Sequence, residues 1–201
     1  MTLKIQVYSD YVCPFCFLAE LPLGEAINGK AVEVDWMPYE LRPYPNPTLR
    51  PEDHYLQTTW AQSVYPMAER MGIDIRLPDV SPQPYTHLAF EGSYYAKEKG
   101  KGTAYNERLL KAFFQEGLDI GDVEILMKLA VEVGLDETEY REAIESRKYK
   151  EAHQHALEDA YERADITAVP TFIIGETKIA GIHPKETIEE IIEEELKKLQ
   201  P

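Results

Sequence analysis

The sequence predicts an α/β fold in which a mixed sheet is shared between the two ends of the chain and an all-helical domain is inserted between them. Three observations carry that prediction. The first fifty residues read strand, helix, strand; residues from Val169 onward read strand, strand, helix; and 51–149 carry almost nothing but helical periodicity. The expected division is therefore 1–50 with 150–201 as one discontinuous unit, and 51–149 as the insertion.

Each element has a local reason. Lys4-Ile5-Gln6-Val7-Tyr8 alternates as a strand does, and Phe17-Leu18-Ala19-Glu20 continues beyond it with helix formers. Asn28-Gly29-Lys30 is a turn, and 31–37 alternates again as a second strand. Joined through a helix, these two strands should run parallel with a right-handed crossover. Leu41 to Pro47 carries alternate prolines, which forbid helix and read as an extended connector. Helices are then expected from Glu52-Asp53-His54 to Met71-Gly72, from Tyr85 to Lys99, and over the stripe Leu109, Leu110, Phe113, Phe114 before Gly117. Asp122 caps another, with Val123, Leu126, Ala130 and Val133 at helical spacing, and a short one runs through Ile144. A long helix over 149–164 leads back to strand signal at 169–175. Lys178 to Gly181 pairs with it across a tight turn, and a final helix begins at Pro184 with Ile188, Ile191, Ile192, Leu196 and Leu199 on one face.

The chemistry concentrates where the first strand gives way to the first helix. Cys13-Pro14-Phe15-Cys16 holds the only two cysteines of the chain. The spacing puts Cys13 at the start of the helix and Cys16 one turn on. There the first backbone N–H groups have no intrahelical partner and favour a thiolate by at most ~2 kcal/mol. Pro14 suits the first turn because the helix does not use its missing N–H. Cys13 is then the attacking thiolate and Cys16 the resolving thiol that closes the disulfide. Simple burial of two cysteines is the bland alternative. A zinc half-site would need a second pair of ligands at suitable spacing. His153 and His155, two apart on a helix, do not share a face and cannot supply it, so no metal is expected.

Totals narrow the function further. A net charge of −15 over 201 residues argues against nucleic acid and anionic membrane surfaces as partners. No stretch is long and apolar enough to span a bilayer. Met1-Thr2-Leu3-Lys4 runs straight into a strand without a signal-peptide pattern, so the expected compartment is the cytoplasm. In a reducing compartment a lone CxxC is more often catalytic than structural.

In element order and motifs the chain resembles thioredoxin-fold proteins of the DsbA family, and within them the FrnE-like branch of cytoplasmic thiol oxidoreductases. The resemblance spans essentially the whole chain. It is carried by Ser9-Asp10 ahead of Cys13-Pro14-Phe15-Cys16, by Leu41-Arg42-Pro43, by Phe114 to Ile120, and by Val169-Pro170-Thr171-Phe172. It implies that Pro170 is cis and lies beside the Cys13 sulfur, with Val169 offering its backbone to an extended substrate and Pro14 and Phe15 flanking it. Proline takes a cis bond at modest cost and withholds an N–H from the sheet. Catalytic roles thus fall to Cys13, Cys16 and Pro170. The resemblance further implies a protein or small-molecule thiol or disulfide as substrate. It implies no cofactor beyond the Cys13–Cys16 disulfide itself, with glutathione as a candidate co-substrate. Two positions depart from the better-known pattern. Phe15 stands where DsbA has histidine, which makes a milder oxidant the expectation, in the glutaredoxin range of about −200 to −230 mV. Ala168 replaces a glycine often found before Val-Pro.

Several residues carry two readings. Asp10, three before Cys13, is a candidate proton relay to Cys16 and equally a turn residue. Arg42 could steady an acidic substrate, but pairing with one of the 36 carboxylates is the default. Trp36, Trp60 and Tyr65 could line a groove over the site, with buried packing as the default. His183, before Pro184, reads as a cap or loop residue. At the level of function, the alternatives are a glutathione-dependent isomerase or transferase of the 2-hydroxychromene-2-carboxylate isomerase or kappa class, and a non-catalytic binding module. The former enzymes resemble this architecture but carry serine at the nucleophile position.

Overall fold

A computed structural model describes residues 2–199; residues 1, 200 and 201, at the edges of the expected halves, lie outside the described residues. Four strands, β1 (Leu3–Ser9), β2 (Val32–Pro38), β3 (Thr171–Ile174) and β4 (Thr177–Ala180), form one mixed sheet in the order β2-β1-β3-β4. β1 runs parallel to β2 and antiparallel to β3, as the helical crossover and the returning C-terminal hairpin require. The alternation in β1 decides the layers. Leu3, Ile5 and Val7 face α1 (Pro14–Ile27) and α9 (Lys185–Lys198), where Ala19, Leu23, Ile188 and Ile192 close one core with Phe172 and Ile174. Tyr8 faces the other way, onto Ala160 and Ile166.

The 4-residue length of β3 is shorter than the alternation predicts, because Val169–Pro170 is cis and stands before the ladder begins. At the β3–β4 turn Gly175 has φ +58°, and a Cβ there would run into the Glu195 side chain of α9. Glu195 in turn accepts from the Thr177 hydroxyl at 2.8 Å and pairs with Lys198, which fastens α9 to the hairpin.

Between the halves of the sheet, α2 (His54–Thr59), α3 (Tyr65–Met71), α4 (His87–Glu98), α5 (Gly102–Phe114), α6 (Val123–Glu132) and α7 (Glu137–Glu145) pack around a second, larger core. Asp122 caps α6 as expected, its carboxylate accepting from the Glu124 amide at 2.7 Å. The single helix expected over 54–71 contains a π turn at Trp60–Val64. It sits where Pro66 cannot supply the next N–H and its ring would crowd the preceding carbonyl. A second π turn, Asp159–Arg163, ends the helical run that starts with α8 (Lys150–Glu158). Gly92 in α4 lets the Tyr105 and Tyr140 hydroxyls, bonded to each other at 2.6 Å, approach the helix backbone; a Cβ would collide with both.

One buried polar pair ties the exit of β2 to α8. His153 Nε2 lies 2.6 Å from Glu40 Oε1, with both side chains at most 4% exposed, and Phe90 stacks on the imidazole at 5.4 Å. Removing one partner of such a pair leaves the other buried without its hydrogen bond and costs ~1–3 kcal/mol, more for a charged group. His153→Ala should lower stability by that order in urea unfolding. A loss under ~1 kcal/mol, the worth of a surface pair, would show that the contact does not hold the segment.

Candidate active site

Sheet register brings three remote segments to one place. Tyr8 pairs with Thr171, so the start of β3, and with it Val169–Pro170, lies beside the end of β1 and the entry to α1. Ser9 pairs with Pro38, which carries Tyr39, Glu40, Leu41 and Arg42 over the same end of the sheet. The Tyr39 amide donates to the Ser9 carbonyl at 3.1 Å, and the Leu41 amide to Asp10 Oδ2 at 2.8 Å. Cys13 is the N-cap of α1 and Pro14 occupies its first turn, as the spacing predicts. The Cys13 thiol points at the Val169 carbonyl, 3.7 Å away, and the Val169–Pro170 bond is cis. Two further cis bonds, Tyr44–Pro45 and Ser81–Pro82, lie in loops where the sequence offered no reason to single them out.

The two cysteines, both free thiols, differ in surroundings. Cys13 borders a cavity of about 270 Å³ together with Pro14, Phe15 and Val169. Cys16 does not border it, lying behind Cys13 in the protein. Burial pushes the Cys16 thiol well above the usual cysteine range, and its hydrogen bond with the Cys13 thiol adds to this. The Asp10 backbone amide and the Ser9 hydroxyl face Cys16 and pull the other way. Cys16 therefore needs a base before it can attack.

Asp10, the candidate relay, meets Cys16 through its backbone amide. Its carboxyl is 1% exposed and is pushed up to about 7, chiefly by burial and in part by the Glu40 carboxylate. Hydrogen bonds from the Leu41 amide, the Thr86 hydroxyl and the Val12 amide oppose the shift. It also borders the cavity. The rest of the wall comes from the helical block and its loops, chiefly Leu49, Leu56, Trp60 and Thr86. Of the three aromatic residues expected near a groove, Trp60 borders the cavity while being 1% exposed. Tyr65 meets Trp60 edge to face from outside at 5.3 Å, and Trp36 is turned away toward Thr103. Groove and packing are thus one and the same role for Trp60. His183 Nε2 donates to the Ala180 carbonyl at 2.9 Å, as a loop residue should.

Ser9 and Thr86 had been given no role. Ser9 stands next to Asp10 in a motif the sequence displays, so it could have been found. Thr86 lies 76 residues beyond Asp10 with no local signal. Among the described residues no group of His, Cys, Asp or Glu side chains could hold a metal ion, and no helix is long and apolar enough to cross a membrane.

A β-α-β and β-β-α sheet with a cis proline facing a helix-capping CxxC is the thioredoxin fold, elaborated here by a helical block. Comparison with known proteins names the family. The profile of the DSBA-like thioredoxin domain matches residues 4–193, and the chain belongs to that family. It is 56% identical over 199 residues to the uncharacterized protein YwbO of Bacillus subtilis (strain 168), covering 98% of this chain and 100% of that one. Among solved structures, a probable DsbA oxidoreductase from Streptomyces coelicolor superposes with a TM-score of 0.80 at 21% identity, over 99% of this chain and 92% of the other. The cytosolic disulfide reductase DsbM from Pseudomonas aeruginosa with GSH superposes with a TM-score of 0.74 at 17% identity, over 97% of this chain and 100% of the other. At these identities the two structures speak for the fold.

The raised Asp10 carboxyl has a consequence for stability. Below about pH 4 folded and unfolded chains both hold the proton; between its ordinary 3.8 and about 7 only the folded chain does. Stability from this group therefore falls as pH rises through that window, by about 4 kcal/mol in all. Asp10→Asn should match the wild type near pH 4 and exceed it by several kcal/mol at pH 8 in denaturant unfolding. Equal stability of the two proteins at pH 8 would contradict the burial of an ionisable Asp10.

Proposed function

We propose that the protein is a thiol–disulfide oxidoreductase working through the Cys13/Cys16 dithiol. The observation that carries this reading is the 3.7 Å contact of the Cys13 sulfur with the carbonyl preceding cis-Pro170, on the wall of a cavity, with Cys16 one helical turn behind. Cys13, as thiolate, attacks one sulfur of a substrate disulfide R–S–S–R′, forms Cys13–S–S–R and releases R′–S⁻. Cys16 gives its proton to the Asp10 carboxylate and attacks the Cys13 sulfur. The Cys13–Cys16 disulfide forms and R–S⁻ leaves. The substrate gains two electrons and the dithiol loses them; run backward, the same steps oxidise a substrate dithiol.

Pro170 keeps a backbone N–H away from the sulfur, and the Val169 backbone is the docking edge for an extended substrate, with Pro14 and Phe15 on the other side. No resident cofactor enters these steps. Glutathione is a suitable co-substrate for returning the disulfide to the dithiol, a reading supported by the likeness to DsbM, solved with GSH. A cytoplasmic setting and assignment to the FrnE-like branch belong to the same proposal, the latter resting on the Ser9-Asp10, Leu41-Arg42-Pro43 and Val169-Pro170 motifs.

Two variants test the scheme. Cys13→Ser should abolish reduction of insulin disulfides and refolding of a scrambled disulfide protein, whereas Cys16→Ser should accumulate a mixed disulfide on Cys13, seen as a mass adduct. Unchanged activity in Cys13→Ser would refute the reading. Asp10→Asn should slow only the second step, by ~10²-fold as for loss of a general base, with the burst of first-step product retained. If both steps slow alike, Asp10 is not the acceptor of the Cys16 proton.

A further inference from the structure

The cavity beside Cys13 carries one permanent charge. Arg42 borders it through the segment that the Leu41–Asp10 hydrogen bond holds in place. Elsewhere the chain's 36 carboxylates claim its arginines: Arg50, Arg76, Arg108, Arg141, Arg147 and Arg163 each pair with one. Among the described residues Arg42 and Arg70 hold no carboxylate, and of the two only Arg42 stands at a cavity. The pairing expected for it from the acidic composition is thus not made. The other lining groups are mainly apolar, among them Leu41, Leu49, Leu56, Trp60 and Phe15. Leu41 and Tyr55, 47% and 61% exposed, leave apolar surface at the mouth. The one carboxyl of the lining, Asp10, lies buried in the wall and is shifted toward the neutral form.

A guanidinium left unpaired on an apolar wall, in a molecule of net charge −15, marks a place where an anion is wanted. The surrounding field repels anions in general, so the attraction has to come from Arg42 itself, an exposed residue at the mouth of the cavity. Resting on the oxidoreductase reading, we propose that the site selects a low-molecular-weight disulfide whose sulfur-bearing group is apolar and carries a carboxylate, with Arg42 binding that carboxylate while Cys13 attacks the sulfur. The enclosed volume of about 270 Å³ suits a group of one ring or a short aliphatic chain rather than a folded segment of protein. The step is the exchange already written: the Cys13–S bond forms, the substrate S–S bond breaks, and the carboxylate-bearing half stays on Cys13.

Two aromatic disulfides test this in a Cys16→Ser background, where only the first step is observed. 5,5′-Dithiobis(2-nitrobenzoate) bears a carboxylate on each ring, and 2,2′-dithiobis(5-nitropyridine) is its uncharged counterpart. Both release a coloured thiolate that stopped-flow absorbance follows. Arg42→Gln should lower the ratio of anionic to neutral second-order rate constants about tenfold, and Arg42→Lys should restore part of it. Arg50→Gln, which removes the same charge from outside the cavity, should leave the ratio unchanged. A ratio unmoved by Arg42→Gln, or moved equally by Arg50→Gln, overturns the proposal. So does faster reaction with a disulfide-linked peptide of matched charge than with the small anionic disulfide. Failure of both aromatic disulfides to react with Cys13 at all overturns the oxidoreductase reading instead, so the two failures are told apart.

Discussion

The structure depends on a helix that is buried on two sides. α1 turns Ala19, Leu23 and Ala26 toward the sheet and Leu18 toward the helical block, where Phe15 and Phe17 also pack. Its sequence is apolar over most of its surface, leaving Leu21, Gly24 and Glu25 as the exposed strip. Each fully buried Leu or Phe contributes ~1.5–3 kcal/mol, so tilting α1 would loosen both cores together. The N-terminus of α1, and with it Cys13, is thereby fixed at the junction between them. The cavity opens at that end of α1, between residues of the helical block and Val169.

Much of this was legible in the chain. Alternation in 4–8 and 31–37 marked β1 and β2, and the interrupted pattern around Cys13 marked the entry to α1. The Val169-Pro170 pair, read with the CxxC, pointed to the contact that the sheet register then delivers. What stayed hidden depends on partners far away in sequence. Glu40 and His153 are 113 residues apart, and nothing in either neighbourhood separates a buried imidazole from one in water. Trp36 and Trp60 look alike in sequence; only the packing of α5 against β2 and of α2 over Cys13 separates them. The π turns follow a different rule: they answer a local lack, as at Pro66, by a change in ladder register that propensity does not describe.

The end of the sheet is crowded with buried polar groups to a degree the two apolar cores do not require. Asp10, Glu40 and His153 are each at most 4% exposed. Among the described residues, His153 Nδ1 lacks a hydrogen-bond partner. Desolvating such groups is costly, and a core of similar shape made of apolar residues would be at least as stable. The return is orientation. Residues 39–41 are pinned by the Ser9 carbonyl on one side, by Asp10 on another, and by His153 and the Tyr161 hydroxyl from α8 and its π turn. The segment that carries Arg42 is thus held to the same frame as the cysteines.

The unequal roles of the two cysteines follow from the direction of α1. Three residues on a helix turn through most of a circle, so Cys13 and Cys16 lie on nearly the same side, and what separates them is rise, about 4.5 Å along the axis. Because α1 points from the cavity into the protein, that rise carries Cys16 inward, out of reach of a bulky substrate yet next to the Cys13 sulfur. Were the helix reversed, the cysteine at the cavity would face the carbonyl end, where the helix dipole opposes a thiolate. Which cysteine meets the cavity is therefore set when β1 feeds its chain into the N-terminal end of a helix that two cores hold in place.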